Sequence, residues 1–325
     1  MHRRCFGPHV GFVAASLVSL LTPLASASIP PARHAPEYAE RSSSPHPSVT
    51  RLIEAHVFSA LSPDHQQMIT NLATEDPATR VPRSACFAEG TSDATMHAFS
   101  AAVFGLNEAP FGGRYQTGGR WSNTTGGSTG STGTPITLRY SFVPDGTNIP
   151  GGAGEADSPS DLFARLNPIY GGNTAQWQAL YASVFERWGQ LCGVTYIFEP
   201  NDDGAAFPGS PGAVGVRGDC RMAGHPIDGN SGILAFNYFP NTGDMVIDTA
   251  DSFYSNTGTN SLRLRNVLSH EHGHGMGMAH VCPIAQTKLM EPFISTAYDG
   301  PRHDEVRHSQ RLYGCLLYTS PSPRD

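Results

Sequence analysis

Lysine is almost missing from this chain: of 21 basic residues, Lys288 is the single lysine and the rest are arginine, which reads as codon usage and not chemistry. Charge of either sign is sparse, at 15% of residues against roughly 25% in an average soluble domain. The formal net charge of −7 argues against nucleic acid or an anionic membrane as the main partner. Past the first few dozen residues no run is long and apolar enough to span a bilayer. In their place stand 35 glycines and 26 prolines, a loop-rich composition, with 39% hydrophobic residues. Over 325 residues that is enough to close one large or two modest cores, which excludes a disordered chain.

The two ends stand apart from the rest. Arg3 and Arg4 precede an apolar run from Val10 to Leu21 and the small residues Ala25, Ser26 and Ala27, the order of a secretory signal peptide. Cleavage after Ala27 (residues 1–27 removed) and a secreted or extracytoplasmic protein are expected; the run is too short for a membrane anchor. Residues 315–325 resemble one frame of a sequencing adapter, a non-native read-through outside any fold argument. Cys5 and Cys315 leave with these ends. Of the six cysteines, Cys86, Cys192, Cys220 and Cys282 remain, an even set that predicts two disulfides in an exported protein, with all three pairings open.

Residues 28–112 read as a Pro/Ser-rich linker followed by a helical extension, either a pro-segment or an ordinary N-terminal addition. Ile53, His56, Val57 and Leu61 recur at helical spacing, Ser62 and Pro63 start a second helix through Met68, Ile69 and Leu72, and a third apolar patch runs over 96–106. Residues 113–314 form the main domain. Ile136, Leu138, Tyr140 and Phe142 alternate with polar residues as a half-buried strand. Trp177, Leu180, Tyr181, Val184, Phe185, Trp188 and Leu191 mark a long amphipathic helix ended by Gly193. Further strands are expected at 194–198, 213–216, 233–239 and 245–247, then two helices, an α+β order.

The chemistry concentrates in His270-Glu271-His272-Gly273-His274-Gly275-Met276-Gly277-Met278-Ala279-His280. Residues four apart share a helix face, so His270 and His274 aim at one point with Glu271 beside them. Gly277 turns the chain and lets His280 supply a third imidazole. Three neutral histidines with an open fourth position describe a catalytic zinc site. His272, roughly 200° round the helix from His270, is excluded as a ligand. All five fixed positions of H-E-x-x-H-x-x-G-x-x-H are present, far more specific than H-E-x-x-H alone.

With that motif the chain resembles the metzincin metallopeptidases, matrixins in particular. Lys288-Leu289-Met290-Glu291-Pro292 is similar to their methionine turn, with Met290 beneath the metal, and the segment ending Leu312-Tyr313-Gly314 to their final helix. The likeness runs from about Arg120 to Gly314. It implies a zincin fold: a twisted, mostly parallel sheet with an antiparallel edge strand, packed on a long helix and the active-site helix, with a small C-terminal subdomain. It also implies a monomer that hydrolyses protein or peptide substrate, with Glu271 as general base and zinc on His270, His274 and His280. Substrate would add as a strand along Ala235, Phe236 and Asn237, with Pro292 and Phe293 walling the main pocket. Asp228, Asp248 and Asp251 would supply oxygens to calcium, or are acidic turn residues. Two departures stand out. Phe236-Asn237 and Val246-Ile247-Asp248 stand where histidines of a second zinc site are expected, leaving a lone His225. The family's Pro-Arg-Cys-Gly is here Pro82-Arg83-Ser84-Ala85-Cys86, so a disulfide at Cys86 is expected over a thiolate on the metal. The rivals are a secreted binding module that keeps the fold without catalysis and an exported metal-binding protein.

Overall fold

A computed structural model describes residues 53–76, 78–104, 119–281 and 284–315. The expected signal peptide, the expected linker, Cys282 and the tail beyond Cys315 lie outside the described residues. Three helices open the chain: α1 (Ala55–Ser59), α2 (Pro63–Thr74) and α3 (Asp93–Phe104), with strand β1 (Arg83–Phe87) between the last two. The start of α2 comes from its sequence. Ser62 accepts the His65 N–H at 3.2 Å, Pro63 occupies the first turn, and Met68, Ile69 and Leu72 form its buried face.

Two short ribbons, β2 (Asn123–Thr124) with β3 (Gly127–Ser128) and β5 (Asn148–Ile149) with β6 (Ser158–Pro159), flank β4 (Ile136–Phe142). Helices α4 (Leu162–Ile169) and α5 (Thr174–Leu191) come next, then β7 (Val194–Phe198), β8 (Cys220–His225), β9 (Ile233–Tyr238) and β10 (Met245–Asp248), and finally α6 (Gly258–Gly275) and α7 (His303–Tyr313). Asn173 caps α5, and the six apolar residues from Trp177 to Trp188 are its buried stripe. The helix ends at Leu191 with Cys192 already extended, and Gly193 follows where a Cβ would lie 2.0 Å from the Tyr313 carbonyl oxygen.

The main sheet has the order β1-β9-β10-β8-β4-β7. β4 runs parallel to β7 and β8, and β8 parallel to β10; β9 and β1 are antiparallel to their neighbours. The mixed, mostly parallel sheet is as expected, with one correction at its edge. The expected edge strand, β9, is covered by β1, which the sequence does not reveal as a strand. A second correction concerns 213–216, which form a turn closed by an Ala213–Arg217 bridge. The strand lies instead at Cys220–His225, whose Arg-Met-Ala-Gly-His run lacks a clean alternation because both faces are buried.

Both faces of the sheet are covered. On one, α5, α6 and α7 close a core around Trp177, Trp188, Leu264 and Tyr313. On the other, Met68, Leu72, Met96 and Phe99 of the N-terminal helices join Ile233, Phe236, Val246 and Phe293 in a second core. Phe236 and Val246, which replace the expected histidines, are thus apolar packing positions. His225, also buried, is held by Glu155 at 2.8 Å and Ser158 at 2.9 Å.

The cysteines need correcting. Cys86, Cys192 and Cys220 are free and buried, and Cys315 is free and exposed. No two of the described cysteines are bonded, since each sits on a different element with its own neighbours: Cys192 caps α5 and its thiol donates to the Trp188 carbonyl, while Cys220 opens β8 against Trp121 and Gly243. Burial pushes the Cys192 thiol up to about 11.

Candidate metal centre and its cleft

Helix α6 carries the motif, and its last turns are buried from Asn266 to Gly275. His270 and His274 lie one turn apart. The chain then leaves the helix through Met276 and turns at Gly277 (φ +96°), where a Cβ would stand 1.9 Å from the Gly119 carbonyl oxygen. The Met278 N–H closes the turn on Gly273 at 2.9 Å. That reversal brings His280 back over the helix. The ligand atoms of His270, His274 and His280 lie within 4.8 Å of one another, the one such cluster among the described residues.

Hydrogen bonds on the far side of the rings fix what faces inward. His270 Nδ1 donates to the Leu289 carbonyl at 2.6 Å and His274 Nδ1 to the Met278 carbonyl at 2.7 Å. With those protons spent, each Nε2 presents a lone pair. His270 Nε2 is 3.0 Å from His274 Nε2 and 3.2 Å from His280 Nε2. Burial holds His270 down to about 4 and the other two well below the usual imidazole range, so all three are neutral. Lone pairs converging without a proton between them repel; a cation at their common point turns that repulsion into coordination, and nitrogen donors suit zinc.

Glu271 is buried beside this point, and neither carboxylate oxygen makes a well-formed hydrogen bond. Burial pushes it up to about 8, while the thiol and backbone N–H of Cys86, the groups nearest, work in the opposite direction. Met290 lies under α6, its sulfur against Gly273, where even a Cβ would come within 2.4 Å. His272 points away from the triad, with Nε2 2.6 Å from the Tyr196 hydroxyl among Phe185 and Trp188.

The remaining expected residues divide by what they touch. Ala235, Phe236 and Asn237 lie on β9, paired with β10 on one side and β1 on the other. The Pro292 carbonyl accepts the Phe87 N–H at 2.9 Å, and Phe293 is buried against Phe87. Asp228, Asp248 and Asp251 gather around the 226–232 loop but direct their oxygens at protein donors. Asp228 accepts from the Ile233 N–H and pairs with His65 at 2.8 Å. Asp248 accepts from Ile227, Gly229 and Ala250, and Asp251 from Ser231 and Phe253.

Four contributors are not evident in the sequence. The Leu289 and Met278 carbonyls orient ligands, and a backbone carbonyl leaves no signature in a side-chain pattern. Glu291, expected only as a member of the methionine-turn segment, accepts N–H bonds from Ala285, Gln286, Thr287 and Lys288 and so shapes the loop ahead of Met290. Cys86 faces Glu271, and only the pairing of β1 with β9 puts it there.

The sequence has counterparts in known proteins. The matrixin family model matches residues 214–314. Stromelysin-3 of Rattus norvegicus is 38% identical over 104 residues, 30% of this chain and 20% of that protein. Metalloendoproteinase 2-MMP of Arabidopsis thaliana is 27% identical over 166 residues, 47% of this chain and 40% of the relative. Matrix metalloproteinase-20 of Homo sapiens is 35% identical over 98 residues, 28% of this chain and 19% of the relative. The chain thus spans about a fifth of the length of stromelysin-3.

Proposed function

We propose that this chain, a matrixin-like metzincin, is a secreted zinc-dependent endopeptidase. One observation carries the reading: three buried imidazoles converge on one point beside a buried carboxylate, and two of them, His270 and His274, spend their Nδ1 protons elsewhere so that their Nε2 atoms are bare. His270, His274 and His280 would hold zinc, which supplies a Lewis acid for water and for a substrate carbonyl. Glu271 takes the proton from the attacking water and returns it to the departing amine. Its high proton affinity in this buried position suits the second half of that exchange, and opposite charge nearby lowers the affinity for the first half.

Peptide would lie extended along Ala235, Phe236 and Asn237, with its other edge on Pro292 and Phe293. The aspartates Asp228, Asp248 and Asp251 serve the N–H groups of their own loop, so the proposal needs zinc alone. Residues 1–27 would direct export, and no helix of the described residues is long and apolar enough to cross a membrane. The test is hydrolysis of casein by the zinc-loaded chain, with and without a chelator, beside Glu271→Ala. Chelator-sensitive cleavage lost in the variant supports the reading. Zinc binding with no turnover, even after limited proteolysis, makes the chain a binding module instead.

A further inference from the structure

An α-helix leaves its last four carbonyls without partners of its own. In α6 and its cap these belong to Gly273, His274, Gly275 and Met276, all buried. Two find donors in the turn itself: Gly273 accepts the Met278 N–H at 2.9 Å and His274 the Gly277 N–H at 2.8 Å. The other two are served by side chains from opposite ends of the domain. The Gly275 carbonyl accepts the Trp121 indole N–H at 2.8 Å, and the Met276 carbonyl accepts the Tyr313 hydroxyl at 2.9 Å. These donors are joined to each other, since the Trp121 backbone N–H donates to the Tyr313 oxygen at 3.3 Å. Arg120 ties the same segments together, with Nε on the Leu312 carbonyl at 3.1 Å and its guanidinium 5.2 Å from the centre of the Tyr313 ring.

We infer that Trp121 and Tyr313 are positioning residues of the metal centre: they fix the turn after α6 and, through it, two of the three ligands. The inference rests on the proposed reading for the metal that the histidines take. His280 is delivered by this turn, and His274 is oriented by it, because its Nδ1 partner is the Met278 carbonyl at 2.7 Å. The physical basis is an accounting of polar groups. A turn that swung the Gly275 or Met276 carbonyl off its donor would leave that oxygen unpaired in the core. Gly277 permits the reversal; the indole N–H and the phenol O–H hold it. Both rings also fill the core on the helical face of the sheet, so the claim concerns the two polar hydrogens and not the rings. Held in this way, the turn is built before zinc arrives, and the metal meets ligands already aimed.

The experiment uses the full chain with zinc alone, its affinity read by competition with a chelator, and with Co²⁺ in its place, whose visible absorption reports ligand geometry. Tyr313→Phe and Trp121→Phe keep an aromatic ring and remove one donor each. Each is expected to weaken zinc by about tenfold or more and to shift the Co²⁺ bands. Phe99→Ala, in the core on the other face of the sheet, is expected to lower the thermal midpoint and leave both metal readouts as in the unaltered chain. Should the two variants not fold, hydrogen exchange of the unaltered chain decides alone: the Gly277 and Met278 N–H groups stay protected after zinc is removed. Unchanged zinc affinity and Co²⁺ bands in both variants, an equal loss of affinity in Phe99→Ala, or turn amides that lose protection with the metal overturns the inference. Weakened zinc in the two variants of a chain that cleaves no peptide upholds it and removes the peptidase reading. Unchanged zinc in variants of an active chain does the reverse.

Discussion

Glu271 and the three histidines are the residues on which the proposed chemistry turns, and each has a separable readout. Glu271→Ala is expected to lower peptide hydrolysis by about 10²–10⁴-fold while zinc content stays at one per chain, since the base is not a ligand; metal analysis beside a turnover assay checks both. The depressed proton affinity of the ligands has its own consequence. His270, held down to about 4 by burial, remains neutral where an exposed imidazole is mostly charged, so zinc should survive dialysis at pH 5.5 as at pH 7. His272 gives the acid limit of the fold. Its folded value near 3 lies below the usual 6.5, so the neutral form stabilises the native state above pH 6.5, and that contribution is lost as pH falls from 6.5 towards 3. His308, depressed to about 4, acts in the same direction. His272→Phe should flatten the fall of the thermal midpoint over that window, read by calorimetry. At this scale the sequence is informative: spacing alone separates His270, His274 and His280 from His272. The role of Cys86 is hidden, because its partner lies 185 positions away in the chain.

At the scale of elements, the active-site helix depends on the turn at its C-terminal end. Gly277 is required by both its positive φ and the Gly119 carbonyl 1.9 Å from where a Cβ would be. Gly277→Ala should cost on the order of 1–3 kcal/mol in strain alone and weaken zinc retention, because His280 is carried by that turn. Glu291 organises the next loop through four backbone N–H groups. Removing it leaves those donors short of partners at about 1–3 kcal/mol each where they stay buried. Glu291→Ala is therefore expected to lower the thermal midpoint and disturb His270, whose Nδ1 partner, Leu289, lies in the same loop. A fall in midpoint with unchanged zinc affinity would separate the loop from the ligand. The amphipathic helices α2 and α5 are legible because their apolar spacing and caps are local. β1 and β8 are not: strands buried on both faces show no period-two alternation, and nothing local marks β1 as the partner of β9.

Across the whole molecule, the N-terminal helices and the main sheet share one apolar core. The half-buried His65–Asp228 pair and the Arg83–Glu75 pair at 2.6 Å tie the same region together. Phe99→Ala, at the centre of this second core, should cost about 3–5 kcal/mol in chemical denaturation. If the extension were only a loose appendage, the cost would be near zero. The sequence by itself determined the candidate metal-binding pattern, because such a motif is local: eleven residues from His270 to His280 carry the three histidines of the motif, their spacing and the adjacent carboxylate. It also determined the long helices, whose hydrophobic periods are read within a few turns, while the mostly parallel sheet followed only from the family resemblance. Only the tertiary structure decided that Phe236 and Val246 are covered by the N-terminal helices, that Cys86, Cys192 and Cys220 are buried as free thiols, and that β1 pairs with β9. Each of these depends on contact between segments distant in sequence, fixed by backbone pairing and shared burial, and neither of those forces is written in the order of neighbouring residues.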